Sequence, residues 1–217
     1  MVVVAVDGPA AVGKSTVARA LAGHLDAAYL DTGAYYRAVT LAVLDAGLDP
    51  AQLAAVVDVV RGALLDYGSG RMFLDGRDVT DACRSADVTA HVSAVSAIPQ
   101  VREIVVQAQR DWVGRHGGHA VVEGRDIGTV VFPNATLKVF LTADPAVRAR
   151  RRSGDREAEG VALTEIERNL AARDAADSTR AASPLAPAAD AVIIDTSWLG
   201  VDEVTALVIG LLDDVLR

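Results

Sequence analysis

Short aliphatic runs alternate with longer stretches of helical spacing along most of this chain. Val2–Val6 is a continuous β-branched run, the pattern of a strand buried on both faces. Thr16–Leu25 follows with Val17, Leu21 and Leu25 on one helical face. Ala28–Asp31 reads as a short strand, and Ala34–Ala46 as a helix through Tyr36, Val39, Val43 and Leu44. Asp49-Pro50 signals a helix start, with Asp49 as cap, and predicts a helix to about Leu65.

The pattern then changes. Gly68-Ser69-Gly70 and Asp75-Gly76 are turn signals on either side of Arg71–Leu74, which predicts a small antiparallel hairpin. Helical spacing resumes from about Ser85, and Pro99 opens a further helix ending near His116-Gly117-Gly118. Ala120–Glu123, Leu137–Leu141 and Ala191–Asp195 read as strands. Pro145 lies near a helix start, and Thr164–Glu167 has the form of a capping box. Val204–Leu212 reads as a buried C-terminal helix, too short to span a bilayer. Ser153–Val161 is polar and contains glycine, the composition of a mobile loop, and predicts a lid over about 150–165.

Strands alternating with helices argue for an α/β fold: a doubly wound parallel sheet flanked by helices, with a small antiparallel insert. The expected organisation is a single domain over 1–217. Its core is 1–65 and 118–217, and its insert about 66–117.

Gly8-Pro9-Ala10-Ala11-Val12-Gly13-Lys14-Ser15 spells G-x-x-x-x-G-K-S between the first strand and the first helix, with Thr16 next. This is a P-loop. Gly8 and Gly13 let the backbone bend and approach an anion. The loop N–H groups and the helix N-terminus face that anion. Lys14 brings a cation to the β- and γ-phosphates, and the Ser15 hydroxyl can ligate Mg²⁺. The expected cofactor is Mg²⁺ with ATP as phosphoryl donor.

Length and composition limit the alternatives. The chain has 217 residues, 51% of them hydrophobic, enough for a full core. A net charge of −8 argues against nucleic acid as a partner. Cys83 is the only cysteine, which excludes an intrachain disulfide and suits a reducing, cytoplasmic setting. The apolar N-terminal run is too short for a signal peptide, and no membrane partner is expected. His24, His91, His116 and His119 lack metal-ligand spacing and read as structural or surface residues. Trp112 and Trp198 read as packing residues.

The cations are unevenly placed. Lys14 and Lys138 are the only lysines; the rest are arginines, which grip phosphate bidentately. Arg37 and Arg125 follow strands. Arg148, Arg150, Arg151 and Arg152 precede the expected lid, and Arg173 and Arg180 come after it. Such a distribution suits phosphoryl transfer, in which anions must be neutralised, aligned and shielded from water. A helix cannot aim four near-consecutive side chains at one point, so part of the Arg148–Arg152 run is also compatible with a solvated face.

The P-loop, Asp31-Thr-Gly-Ala-Tyr-Tyr-Arg37, Glu123-Gly-Arg-Asp-Ile-Gly-Thr-Val-Val-Phe-Pro133 and Arg173-Asp-x-x-Asp177-x-x-Arg180 resemble, in order and spacing, the motifs of bacterial cytidylate kinases. The resemblance covers nearly the whole chain. It implies Mg²⁺-dependent transfer of phosphate from ATP to CMP and dCMP, and the protein is expected to be a cytoplasmic monomer. By that resemblance Arg37, Arg125 and Arg180 hold the acceptor phosphate, and Arg152 and Arg173 reach the transferring group. Arg102, Asp126 and Ser93 read cytosine, and Thr32 and Asp177 contact the acceptor nucleoside. Asp177 is equally suited to an ion pair with a neighbouring arginine. The catalytic set implied is Lys14, Arg125, Arg152 and Arg173. The metal set is Ser15 with Glu123, the latter through water. Glu123 stands where the family often has Asp, and Tyr35 where it often has an aliphatic residue.

Two other readings share some of these features. A kinase of the same fold could act on another monophosphate or a small alcohol. A nucleotide-binding regulatory switch would also carry a P-loop, but the Asn-Lys-x-Asp stretch that reads guanine in Ras-type switches does not occur.

Overall fold

The computed structural model describes residues 2–154 and 160–217. It divides into two compact units, one of residues Met1–Leu30 with His116–Arg217 and one of Asp31–Arg115. Residues 155–159 of the expected lid lie outside the described residues.

The first unit is built on a five-stranded sheet. Its strands are β1 (Val3–Asp7), β2 (Ala28–Asp31), β6 (Ala120–Gly124), β7 (Leu137–Thr142) and β8 (Val192–Asp195), in the order β2-β6-β1-β7-β8. β1 runs parallel to both β6 and β7, and β7 parallel to β8. Consecutive residues Ala5 and Val6 of β1 are both fully buried, so the strand is covered on both faces, as its unbroken apolar run requires. Helices α1 (Lys14–His24) and α8 (Val201–Leu216) contribute Val17, Leu21, Val204, Val208 and Leu212 to one core with Val4, Val139 and Leu141. Helices α6 (Pro145–Ser153) and α7 (Leu163–Thr179) share a smaller cluster of Ala149, Ile166 and Leu170, against which Ala10 and Ala11 pack.

β1 is the switch point of the sheet, with β6 on one side and β7 on the other. The crevice at the carboxyl end of such a strand is where open α/β sheets bind ligands. The register pairs Asp7 with Gly124 and with Phe140, so the P-loop and the Arg125-Asp126 turn leave the sheet at the same end.

The second unit contains α2 (Thr32–Asp45), α3 (Leu53–Gly62), α4 (Ala86–Ser96) and α5 (Pro99–Arg115). It also holds the antiparallel sheet β3 (Leu65–Gly68), β4 (Arg71–Leu74) and β5 (Arg77–Asp78). Ser69-Gly70 and Asp75-Gly76 turn this sheet with positive φ at all four residues, the backbone whose twist matches a hairpin. Trp112 of α5 donates to the Tyr67 carbonyl at 2.6 Å and meets the Tyr67 ring edge-on.

Three local expectations are corrected. Asp49 does not start a helix: its carboxylate accepts the Ala51 amide and its own amide bonds Gln52 Oε1, a closed turn that delays α3 to Leu53. Thr164 does not cap α7, which begins at Leu163 after an extended Ala162. The Ala162 carbonyl accepts the amides of Glu165 and Ile166, so Thr164 already lies inside the first turn. Trp198 is not a packing residue. It is 89% exposed, in a turn whose Thr196 hydroxyl bonds inward to the Val12 and Thr142 carbonyls.

Candidate active site

In the first unit the P-loop is shaped by backbone requirements. Gly8 has φ +147°, and a Cβ there would lie 2.2 Å from the Leu141 carbonyl oxygen. Glycine is therefore the one residue that lets the loop cross β7 so closely. Ala11 and Gly13 also take positive φ, which turns successive amides inward. Lys14 is buried and donates from Nζ to the Pro9 carbonyl at 2.6 Å. Burial, then the charges of Arg125 and Arg173, lower its ammonium to about 7, against the opposing pull of Glu123 and Asp7. A polyphosphate in the loop would reverse that balance and hold the ammonium charged.

The loop is braced from outside. Arg148 Nε donates to the Ala10 carbonyl at 2.8 Å, and the same guanidinium pairs with Asp174 of α7. Arg151 donates to the Val12 carbonyl at 3.3 Å and to Thr196 Oγ1 at 2.9 Å. Two arginines of the Arg148–Arg152 run thus support loop backbone. Arg150 is exposed and Arg152 half-buried in the last turn of α6.

Four of the expected acceptor residues form one network in this unit. Arg125 donates from Nε to Asp177 Oδ2 at 2.9 Å and from Nη1 to the Gly8 carbonyl at 2.9 Å. Arg180 lies 3.7 Å from Asp177 and 3.8 Å from Asp126, with all three side chains buried. Asp177 therefore serves as an ion-pair partner between two arginines, whatever else it contacts. Arg173, four residues before Asp177 on α7, is close enough to depress Lys14.

Ser15 Oγ donates to Glu123 Oε2 at 2.9 Å, and the Tyr29 hydroxyl donates to Glu123 Oε1. Both expected metal residues are thus in contact. Asp7 closes the site from below: its carboxylate accepts the amides of Ile127 at 2.8 Å and Gly128 at 2.7 Å. Those amides open a π-helical turn, Ile127–Val131, that follows directly on Asp126. Burial pushes the Asp7 carboxyl up to about 6 despite these bonds.

The remaining expected residues lie in the second unit. Thr32 is buried at the start of α2, which Asp31 caps by accepting the Ala34 amide. Arg102 of α5 is buried, bonds the Ser96 carbonyl at 3.0 Å and stacks 5.0 Å from the Tyr36 ring centroid. Ser93 is half-buried on α4, and Ser96 Oγ bonds its carbonyl at 3.1 Å. Arg37 is half-buried on α2. Tyr35 is fully buried, and burial raises its hydroxyl above the usual range. Cys83 is buried as well, its thiol pushed up to about 11, which suits packing rather than reactivity.

Two of the four histidines take structural contacts: His119 bonds the Leu25 carbonyl and His91 the Asp87 carbonyl. Among the described residues, no three His, Cys, Asp or Glu side chains could hold a metal together, and no helix is long and apolar enough to cross a membrane.

The family model described as cytidylate kinase matches residues 4–214. The chain belongs to the cytidylate kinase family. It is 53% identical to the cytidylate kinase of Mycobacterium leprae, covering 94% of this chain and 92% of that one. It is 50% identical to that of Corynebacterium efficiens, over 96% and 93%. Among solved structures, shikimate kinase from Bacteroides thetaiotaomicron superposes over 98% of both chains with a TM-score of 0.50 at 13% identity. A sugar kinase from Janibacter gives 0.50 at 13% identity, over 98% and 95%. At such identity these structures bear on the fold: a P-loop kinase architecture, as the strand–loop–helix order of β1 and α1 anticipates.

Several residues of this cytidylate kinase family member were not singled out by sequence pattern. Asp7 left one usable signal, a carboxylate ending an otherwise apolar strand. Arg148 and Arg151 stand among the arginines named before the expected lid, but their spacing did not mark them as braces of the P-loop backbone. Asp174 stands inside the Arg173-Asp-x-x-Asp177-x-x-Arg180 motif without a role of its own there, and Tyr29 and Thr196 left no signal.

Proposed function

We propose that this protein transfers the γ-phosphoryl group of ATP to CMP and dCMP, yielding ADP with CDP or dCDP. An acceptor phosphate oxygen attacks the γ-phosphorus in line, and the bond from that phosphorus to the ADP oxygen breaks. The observation that carries this reading is the Arg125 bridge from Gly8 to Asp177, within a chain matching the family over residues 4–214. One guanidinium there ties the donor loop to the arginine–carboxylate network proposed for the acceptor.

Little covalent chemistry falls to the protein in such a reaction; positioning and charge do most of the work. The P-loop from Gly8 to Thr16, through the N–H groups of its residues other than Pro9, and the Lys14 ammonium bind the donor phosphates. Lys14, Arg125, Arg152 and Arg173 offset the charge on the transferring group. Arg37, Arg125 and Arg180 take the acceptor phosphate. Arg102, Asp126 and Ser93 read the base, and Thr32 and Asp177 the nucleoside.

The residues suit magnesium. Ser15 donates its hydrogen to Glu123 and keeps its oxygen lone pairs for a hard cation, and Glu123 offers only oxygen. Two protein oxygens with phosphate oxygens and waters match how this ion is usually held. Ser15 would hold it directly and Glu123 through water. When bound, magnesium supplies neutralising charge to the phosphates.

The partners proposed are nucleotides only, handled by a cytoplasmic monomer; the net charge of −8 supports the exclusion of nucleic acid. The test is ADP release from ATP and magnesium with CMP, dCMP, UMP, AMP or GMP. CMP and dCMP should be turned over fastest. Preference for a purine monophosphate, or equal ADP release without acceptor, would overturn the reading.

A further inference from the structure

We propose that Tyr29 is a positioning residue that fixes the Glu123 carboxylate for its work on Ser15 and magnesium. The inference rests on the reading of Ser15 and Glu123 as the magnesium groups. Glu123 is 3% exposed at the end of β6, and its two oxygens are taken by two different hydroxyls. Ser15 on α1 donates to Oε2 at 2.9 Å, and Tyr29 on β2 donates to Oε1.

Glutamate has one more rotatable bond than aspartate and loses more freedom when held. The bond from Ser15 holds Oε2 and the bond from Tyr29 on the neighbouring strand holds Oε1, so the two together set which oxygen faces Ser15. With Ser15's hydrogen committed to Glu123, its lone pairs are the part left for a cation. The Tyr29 ring is itself held: the Arg19 guanidinium lies over it, 5.2 Å from the centroid. Arg19 and Ser15 share α1, so one helix grips both ends of the Tyr29–Glu123–Ser15 chain.

Partners that orient a metal group from behind typically change metal affinity by tenfold or more when removed. The test is calorimetric titration of ATP, once in chelator and once in excess magnesium, on wild type, Tyr29→Phe, Glu123→Gln and the double variant. Tyr29→Phe loses one hydroxyl and keeps the ring under Arg19. Its magnesium-dependent gain in ATP affinity should shrink on the order of tenfold, with metal-free affinity unchanged. In the Glu123→Gln background the Tyr29 change should have no further effect, because the two residues act as one unit. An unchanged magnesium gain in Tyr29→Phe, or an equal further loss in the Glu123→Gln background, overturns the assignment. Wild-type protein that binds ATP with no magnesium gain overturns the magnesium reading and the assignment with it.

Discussion

Arg148 donates to the Ala10 carbonyl at 2.8 Å, so a helix late in the chain braces the loop that opens it. Its second partner, Asp174, also accepts the Ala10 amide at 3.4 Å. Arg148→Met would leave Asp174 and the Ala10 carbonyl without this partner in a largely buried place. Breaking such a pair should cost about 3 kcal/mol of stability and weaken ATP binding through the loop. Asp174→Asn keeps an acceptor and should cost less. Urea unfolding and ATP calorimetry check both effects; wild-type ATP affinity in folded Arg148→Met would show that the brace is dispensable.

The two loop glycines should behave differently when replaced. Gly8→Ala drives a methyl against the Leu141 carbonyl, where the strand cannot retreat without breaking the sheet. Gly13→Ala meets nothing within 4 Å and suffers only from its positive φ. The second change should cost about 1–2 kcal/mol, and the first clearly more. Melting temperatures in the same ionic strength would rank them, and an equal loss would mean the close crossing at Gly8 can relax.

Asp7 makes a pH prediction. Its carboxyl is raised from 3.8 to about 6 in the folded chain, chiefly by burial. The folded state therefore holds this proton more tightly than the unfolded state. The contribution is fully present below pH 3.8 and is lost as pH rises through 6, about 3 kcal/mol in all. Wild type minus Asp7→Asn should show that slope between pH 4 and 7, since other carboxylates cancel in the difference. A flat difference in urea unfolding series would remove Asp7 as its source.

Lys14→Ala should leave the fold assembled and lower turnover on the order of a hundredfold or more. Circular dichroism and steady-state kinetics on one preparation separate the two. Near-normal turnover in folded protein would eliminate the P-loop mechanism proposed above.

Asp126→Asn tests base reading. A carboxylate suits the cytosine amino group, whereas with UMP it would face a carbonyl oxygen. Asparagine can rotate to donate instead. The variant should lower kcat/KM for CMP and narrow the CMP-to-UMP ratio by roughly ten- to a hundredfold. Asp126 also lies 3.8 Å from Arg180, so loss of that pairing alone would slow both substrates alike. An unchanged ratio would confine Asp126 to the ion pair.

Residues 8–15 needed no tertiary information to be read as a phosphate loop. Glycine freedom, the strand before it and the helix after it are properties of neighbours in the chain. The turns at Ser69-Gly70 and Asp75-Gly76 and the apolar strands were legible for the same reason: local sterics and period act over a few residues. The limits of local reading show at Asp49, where a side chain bonding its own backbone displaced the expected helix start. They show again at Trp198, whose exposure follows from the inward bonds of Thr196 to Val12 and Thr142. The bracing of Ala10 by Arg148, the hold of Asp7 on Gly128 and the Tyr29–Glu123 contact join segments far apart in sequence. Each exists only because the order β2-β6-β1-β7-β8 brings distant strand ends to one edge. Hydrophobic period specifies that a strand is buried; it does not specify which strand lies beside it, and that choice of neighbours positioned the side chains around the loop.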